Sequence, residues 1–333
     1  METSDAVSAG NLAAVRIYGI VKFEQPLLCL KEVLGTSFPI CIGGVQGHFE
    51  FPSEPIESGR PADPLREPLV PPKDAKTWRQ GDPPILWGLR HAYQYPDGHP
   101  EVLRALLWFD TIPDKTAELS TAVYQNFDRW RTRLFDGFDL FSTRWFANST
   151  TVVSPSPGDL NLFVFDQSGK QERPYKKKGT QVAVYEDPAA PDPALTQTQI
   201  EKACMLASSD TELSLPYRFQ LAAYRAIKEK DFRKAIVETA VASEIALTQA
   251  IENRLRLDQL PYTDKILEKF RMLSGRVELA RAMGFAVPEN IKSALVEPRN
   301  MVAHRGESPT QRQAFAAVSA TAKILGDNLP PLV

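Results

Sequence analysis

The chain has 333 residues, with 39 Lys+Arg against 41 Asp+Glu and a net charge of -2. That balance excludes a surface that grips polyanions everywhere, so any nucleic-acid site has to be local. A hydrophobic share of 43% with 24% charged residues excludes a mostly disordered chain, and no apolar run reaches the ~18 residues a membrane-spanning helix needs.

At about twice the ~150 residues of a single domain, two domains are expected. The opening METSDAVSAG is acidic and lacks the basic-then-apolar layout of an export signal, so a cytoplasmic setting without membrane association is expected. Cys29, Cys41 and Cys204 are too few for a disulfide framework and lack paired zinc spacing. They read as small buried thiols.

The chain's grammar changes near residue 190: 20 of the 27 prolines and all five tryptophans come before residue 195. Ahead of that point, short apolar or alternating runs rich in β-branched and aromatic residues predict strands. These are Val15–Phe23, Phe38–Phe51, Val102–Phe109, Leu160–Phe165 and Val182–Tyr185. The proline-rich stretch from Pro52 to Pro84 predicts a long surface loop without elements of its own. Asp114 to Phe135 predicts a helix, because Leu119, Val123, Phe127, Trp130 and Leu134 share one face. Asp187-Pro-Ala-Ala-Pro-Asp-Pro193 cannot sustain a helix and favours an extended spacer.

Beyond the spacer the pattern is helical. Leu215–Lys230 opens on a proline, Asp231 caps a long helix to about Leu257, and a third helix follows Pro261. A fourth opens at Val287-Pro288-Glu289, and the S-x-x-Q of Ser308–Gln311 reads as a capping box for a fifth. The expected fold is multidomain α+β. A β-rich domain with one or two helices occupies residues 1–187, a Pro/Ala linker residues 188–198, and an all-α bundle residues 199–333.

Among chemistry-bearing residues, His91, Asp97, His99 and Glu101 match no zinc or di-metal spacing and flank a Pro-Asp-Gly turn, so no metal is expected. Arg173-Pro-Tyr-Lys-Lys-Lys178 reads first as a solvated hairpin loop and second as a grip on RNA phosphates through Lys176, Lys177 and Lys178. Trp87, Trp108, Trp130 and Trp145 read as packing residues, with a ligand-lining role as the alternative.

Arg299-Asn-Met-Val-Ala-His304 carries more information. The bare R-x(4-6)-H spacing is expected about once by chance, but an asparagine directly after the arginine lowers that to the order of 0.04. Asn300 and His304 are four apart and share a helix face, so the amide is placed to orient the imidazole. Glu244 lies at the edge of the apolar stripe Ile236, Ala240, Leu247 and Ile251, while Glu238 and Glu252 fall on the solvent side. A carboxylate there needs a partner, and Arg299 is the expected one. Ala235, Thr239, Ala242, Ala246 and Ala250 let another helix approach the same segment closely.

Residues 213–326 resemble the HEPN superfamily of helical domains, its Apea-like branch above all. The resemblance rests on the paired helices, on the Ala-rich run from Ala235 through Glu244 to Leu247, and on Leu295-Val-Glu-Pro-Arg-Asn-Met-Val-Ala-His-Arg-Gly306. It implies a metal-independent endoribonuclease that needs no cofactor and dimerises so that two R-x(4-6)-H motifs share one cleft. Arg299 and His304 then take the catalytic positions, and Asn300 and Glu244 supporting ones. Arg305, beside His304, is a further expected RNA contact. The implied partners are RNA and a second copy of the chain, with an unknown trigger left to the N-terminal domain and a role in defence following the family's habit. RNA carries its own nucleophile, the 2′-hydroxyl, so proton transfer by a histidine and charge stabilisation by an arginine suffice. The competing expectation is a non-catalytic dimerisation or ligand-binding bundle in which the Arg/His motif is structural.

Overall fold

The computed structural model describes residues 15–55, 63–68, 86–90, 99–141, 160–165, 171–175 and 194–332. The chain is a mixed α+β protein, a β-sheet region followed by a helical one. It divides into two compact units. The first comprises Met1–Leu134, Val153–Asp187 and Ala194–Ser209, and the second Phe135–Val152, Pro188–Pro193 and Asp210–Val333.

The first unit is built on an antiparallel sheet of β1 (Val15–Leu28), β2 (Ser37–Ile42), β3 (Val45–Glu50), β4 (Gly88–Leu89), β5 (Glu101–Thr111), β6 (Leu160–Phe165) and β7 (Gln171–Tyr175). The strand order is β2-β3-β5-β1-β6-β7, with the short β4 pairing the opening residues of β5. Strand alternation sends Ile17, Phe49, Leu107 and Phe109 to one face, where all are fully buried. Against them lies α1 (Thr116–Phe141), whose Val123, Phe127, Trp130 and Leu134 form the stripe expected from the sequence and are buried in turn. Phe49 meets Trp130 edge-on at 5.6 Å between ring centroids. Each such side chain contributes ~1.5–3 kcal/mol by leaving water. Gly47 is required by this packing, because a Cβ there would lie 2.3 Å from the Phe109 ring.

Three local differences from the sequence reading have physical causes. The run Phe38–Phe51 is a hairpin, β2 and β3, because Gly43 and Gly44 both take positive φ (59° and 82°), as a tight two-residue hairpin turn demands. Within Pro52–Pro84, residues 63–68 are not bare loop: Arg66 pairs with Ser53 and Pro64 with Leu89, and Leu65 is buried. The helix α2 (Gln197–Ser208) was not among the predicted elements; its residues fall in the range expected for the bundle, yet it belongs to the first unit. Thr196 and Gln199 form its capping box, and its last residues are tied down by side chains. The Cys41 amide donates to Ser208 Oγ at 2.9 Å, and Arg133 donates to the Leu206 carbonyl and to Ser209 Oγ. The predicted strand Val182–Tyr185 lies outside the described residues, as do Trp78 and Trp145.

The second unit contains the last residues of α1 with α3 (Leu215–Lys228), α4 (Phe232–Leu257), α5 (Thr263–Lys269), α6 (Leu273–Ala282), α7 (Glu297–Asn300) and α8 (Gln311–Asn328). Ion pairs Arg225–Asp136 and Lys228–Asp139, both 2.9 Å, seat the end of α1 on α3. Asp231 caps α4 by accepting from the Lys234 amide. The stripe Ile236, Ala240, Leu247 and Ile251 is buried against residues of α6, of 291–302 and of α8. The small-residue row lets α8 come close enough for Ser243 and Thr321 to share a hydrogen bond of 2.7 Å. Glu238 and Glu252 are half-buried instead of fully on the solvent side. The single helix expected after Pro261 is two short ones, separated around Phe270 and Arg271. The capping box of the last helix is Thr310 with Gln313, two residues later than Ser308, since Pro309 stays outside the helix. No helix among the described residues is long and apolar enough to cross a membrane.

Candidate nuclease site

The helix that carries the motif is irregular. Lys292–Val296 is π-helical, α7 follows, and Met301–Arg305 is again π-helical before Gly306, at φ 66°, ends it. The motif therefore occupies the second half of its helix, not the start. In an unbroken α-helix, residues 299 and 304 would stand ~140° apart around the axis. The i to i+5 bonding of a π turn advances each residue by less, which rotates His304 back towards Arg299. Apolar neighbours hold the segment in place: Leu295, Val296, Pro298 and Val302 are buried, the valines and the leucine in the same core cluster as Leu247 of α4.

His304 is exposed and forms no hydrogen bond or ion pair with any described residue. Arg299 is half-buried, and Nη1 donates to Asn300 Oδ1 at 3.2 Å. The Asn300 amide thus engages the arginine and not the imidazole. Arg305 is exposed, in a loose ion pair of 3.6 Å with Glu307. Lys176, Lys177 and Lys178 lie outside the described residues.

Glu244 is half-buried on α4, and no ion pair joins it to Arg299. Arg276 of α6, to which the sequence reading gave no role, feels the charge of Glu244 without a hydrogen bond or ion pair between the two. Arg276 is only 7% exposed, and its Nε and Nη1 have no hydrogen-bond partner among the described residues. Burial pulls its pKa down from the ordinary arginine range, and the Glu244 carboxylate opposes that shift. The signal was present in the sequence: position 276 falls three after Leu273 and four before Ala280, on the buried stripe of α6.

A second polar group stands on the sheet face away from α1. Trp108 of β5 is stacked by His48 of β3 at 3.9 Å, while the Arg16 guanidinium of β1 lies 4.1 Å from the same ring centroid. Since β3 and β1 flank β5, the indole is held between the two. Arg16 forms a two-pronged pair with Asp110 at 2.6 and 3.0 Å, and Trp108 Nε1 donates to the buried Glu50 carboxylate at 3.0 Å. His48 is within 3.3 Å of Ser37 Oγ, and burial lowers its pKa. Every charged member of this group already has a partner.

His91 and Asp97 lie outside the described residues, and among the described residues no three His, Cys, Asp or Glu side chains gather as a metal set. The three cysteines are free, and burial pushes the Cys29 and Cys204 thiols well up. Comparison with protein families, curated proteins and solved structures finds no match to this chain.

Proposed function

We propose that the second unit is a HEPN-like bundle of the Apea-like kind and acts as a metal-independent endoribonuclease. The observation that carries this reading is the open state of Arg299 and His304. The arginine has no carboxylate partner and the histidine no partner at all among the described residues, on a helix segment whose π turn narrows the angle between their positions. A merely structural pair would be expected to hold each other or a counter-charge.

In the proposed reaction the 2′-hydroxyl attacks the adjacent phosphorus and the bond to the 5′-oxygen breaks. One His304 takes the 2′-hydroxyl proton and another protonates the departing oxygen, which leaves a 2′,3′-cyclic phosphate and a 5′-hydroxyl. Arg299 presents its planar fork to the phosphate oxygens as their charge grows. His304 is the only histidine after residue 99, so an acid and a base at one scissile bond call for two copies of the chain. The first unit would receive the trigger, with the protein working in the cytoplasm and, by resemblance alone, in defence.

The test is cleavage of RNA in EDTA beside the same RNA carrying 2′-deoxy residues at the cut positions. Cutting of the first and not the second is expected. Equal cutting of both contradicts attack by the 2′-hydroxyl.

A further inference from the structure

The long helix α4 carries a second apolar row, away from the side that α8 approaches. Val237, Val241 and Ile245 recur every four residues and so share one face. The core clusters of this unit among the described residues include none of the three. Val237 is 43% exposed, and Val241 and Ile245 are half-buried. Such β-branched residues bring a helix no local gain, because their χ1 freedom is lost against the preceding turn, and the outer side of a helix ordinarily carries charge. On this face the charge stands at the ends of the row. Lys234 ahead of it is exposed and forms no ion pair with any described residue, and Glu252 beyond it is half-buried, its Oε1 accepting from Arg256.

The row is symmetric. Val241 and Ile245 lie two residues to either side of position 243, Lys234 and Glu252 nine to either side. At ~100° per residue, Lys234 and Glu252 fall on one line along the helix, midway between the directions of Val241 and Ile245. A cation and an anion mirrored across an apolar centre make a helix complementary to its own antiparallel copy. We propose that α4 docks on the α4 of a second copy of the chain, antiparallel about a two-fold axis level with residue 243. Val241 then packs against the partner's Ile245, and Lys234 pairs with the partner's Glu252. The apolar centre supplies the affinity, and the rim charges fix the register. A two-fold axis between antiparallel helices keeps the neighbours of each on the same side of the pair. The motif segment, buried in one cluster with Leu247 and Ile251, therefore lies on the same side in both copies, as a shared site requires. That consequence rests on the nuclease reading; the interface does not.

The test mixes two full-length variants, Lys234→Cys and Glu252→Cys, under reducing conditions and then oxidises them mildly. In the proposed pair each variant alone sets its two new thiols ~27 Å apart, whereas the mixture brings one of each together. A cross-linked dimer on a non-reducing gel is expected from the mixture and not from either variant alone, the native cysteines being common to all three samples. By sedimentation equilibrium the wild type is expected to be a dimer. Val241→Glu with Ile245→Glu should raise its dissociation constant ~10²-fold or more, as the loss of two central contacts entails. Lys234→Glu should weaken it several-fold, and Glu252→Lys added to it should restore it. If the double glutamate variant fails to fold, the charge reversal and the cross-link decide. A wild type that stays monomeric overturns the proposal and leaves the face to a different protein; a dimer indifferent to these changes overturns it by placing the interface elsewhere. A wild type that dimerises as expected and cuts no RNA sinks the nuclease reading and leaves the interface standing.

Discussion

The sheet of the first unit and the motif helix of the second each carry an arginine and a histidine, and the two pairs differ in what surrounds them. Around Trp108 the charges are spent: Arg16 on Asp110 and the indole face, the indole N–H on Glu50, His48 on the ring and Ser37. Such a group adds to stability, with its charges already paired. At Arg299 and His304 the same side-chain types are left with one amide contact between them. The lesson is that residue type does not separate a spent cluster from an open one. The number of satisfied partners does.

The largest expected effect breaks that comparison at its open end. Arg299→Ala should reduce RNA cleavage by ~10²–10³-fold, the usual loss for a donor aimed at developing charge, whereas Arg16→Ala should leave cleavage unchanged in the same gel assay. At the structural end, Trp108→Ala should lower unfolding stability by ~2–3 kcal/mol, less than the ~3–5 of a fully buried aromatic because the indole is only half-buried, as read by urea denaturation. A smaller effect is tied to pH. Burial lowers the His48 pKa, so below about 6.5 the unfolded chain takes up this proton before the folded one does. Stability therefore rises with pH through that window and is lost as pH falls, and His48→Gln should flatten the dependence when the midpoint is followed from pH 7 to pH 5. The smallest is Asp110→Asn, which should cost under ~1 kcal/mol because the Arg16–Asp110 pair is open to water. A larger loss there would mean that the cluster is more cooperative than its exposed pair suggests.

Much of the architecture was legible because it depends on periodicity. The α1 stripe, the Asp231 cap, the buried row from Ile236 to Ile251 and the β-then-α order all follow from spacing that burial imposes. What escaped depends on two segments at once. The Gly43-Gly44 turn was readable as a hairpin signal within a run taken as one strand. The placement of α2 depends on Ser208 meeting the Cys41 amide across 167 positions, which no local pattern encodes. At the candidate site, Arg299 and His304 were found by motif, but the expected Glu244–Arg299 ion pair is not formed, and only the packing of α6 shows that Arg276 is the buried arginine of this region. The π turns were likewise invisible, since they arise when a helix must fit between fixed neighbours and carry no residue signature of their own.

The central claim is that the open Arg299 and His304 do chemistry on RNA. Its most direct test is cleavage of total cellular RNA and tRNA by the full-length protein in EDTA, wild type beside His304→Ala, with product ends analysed and folding checked by circular dichroism. Cutting by the wild type that leaves 2′,3′-cyclic phosphates, with a drop of ~10²–10⁴-fold in a folded His304→Ala protein, is the result the account predicts. Equal cutting by both proteins would contradict it.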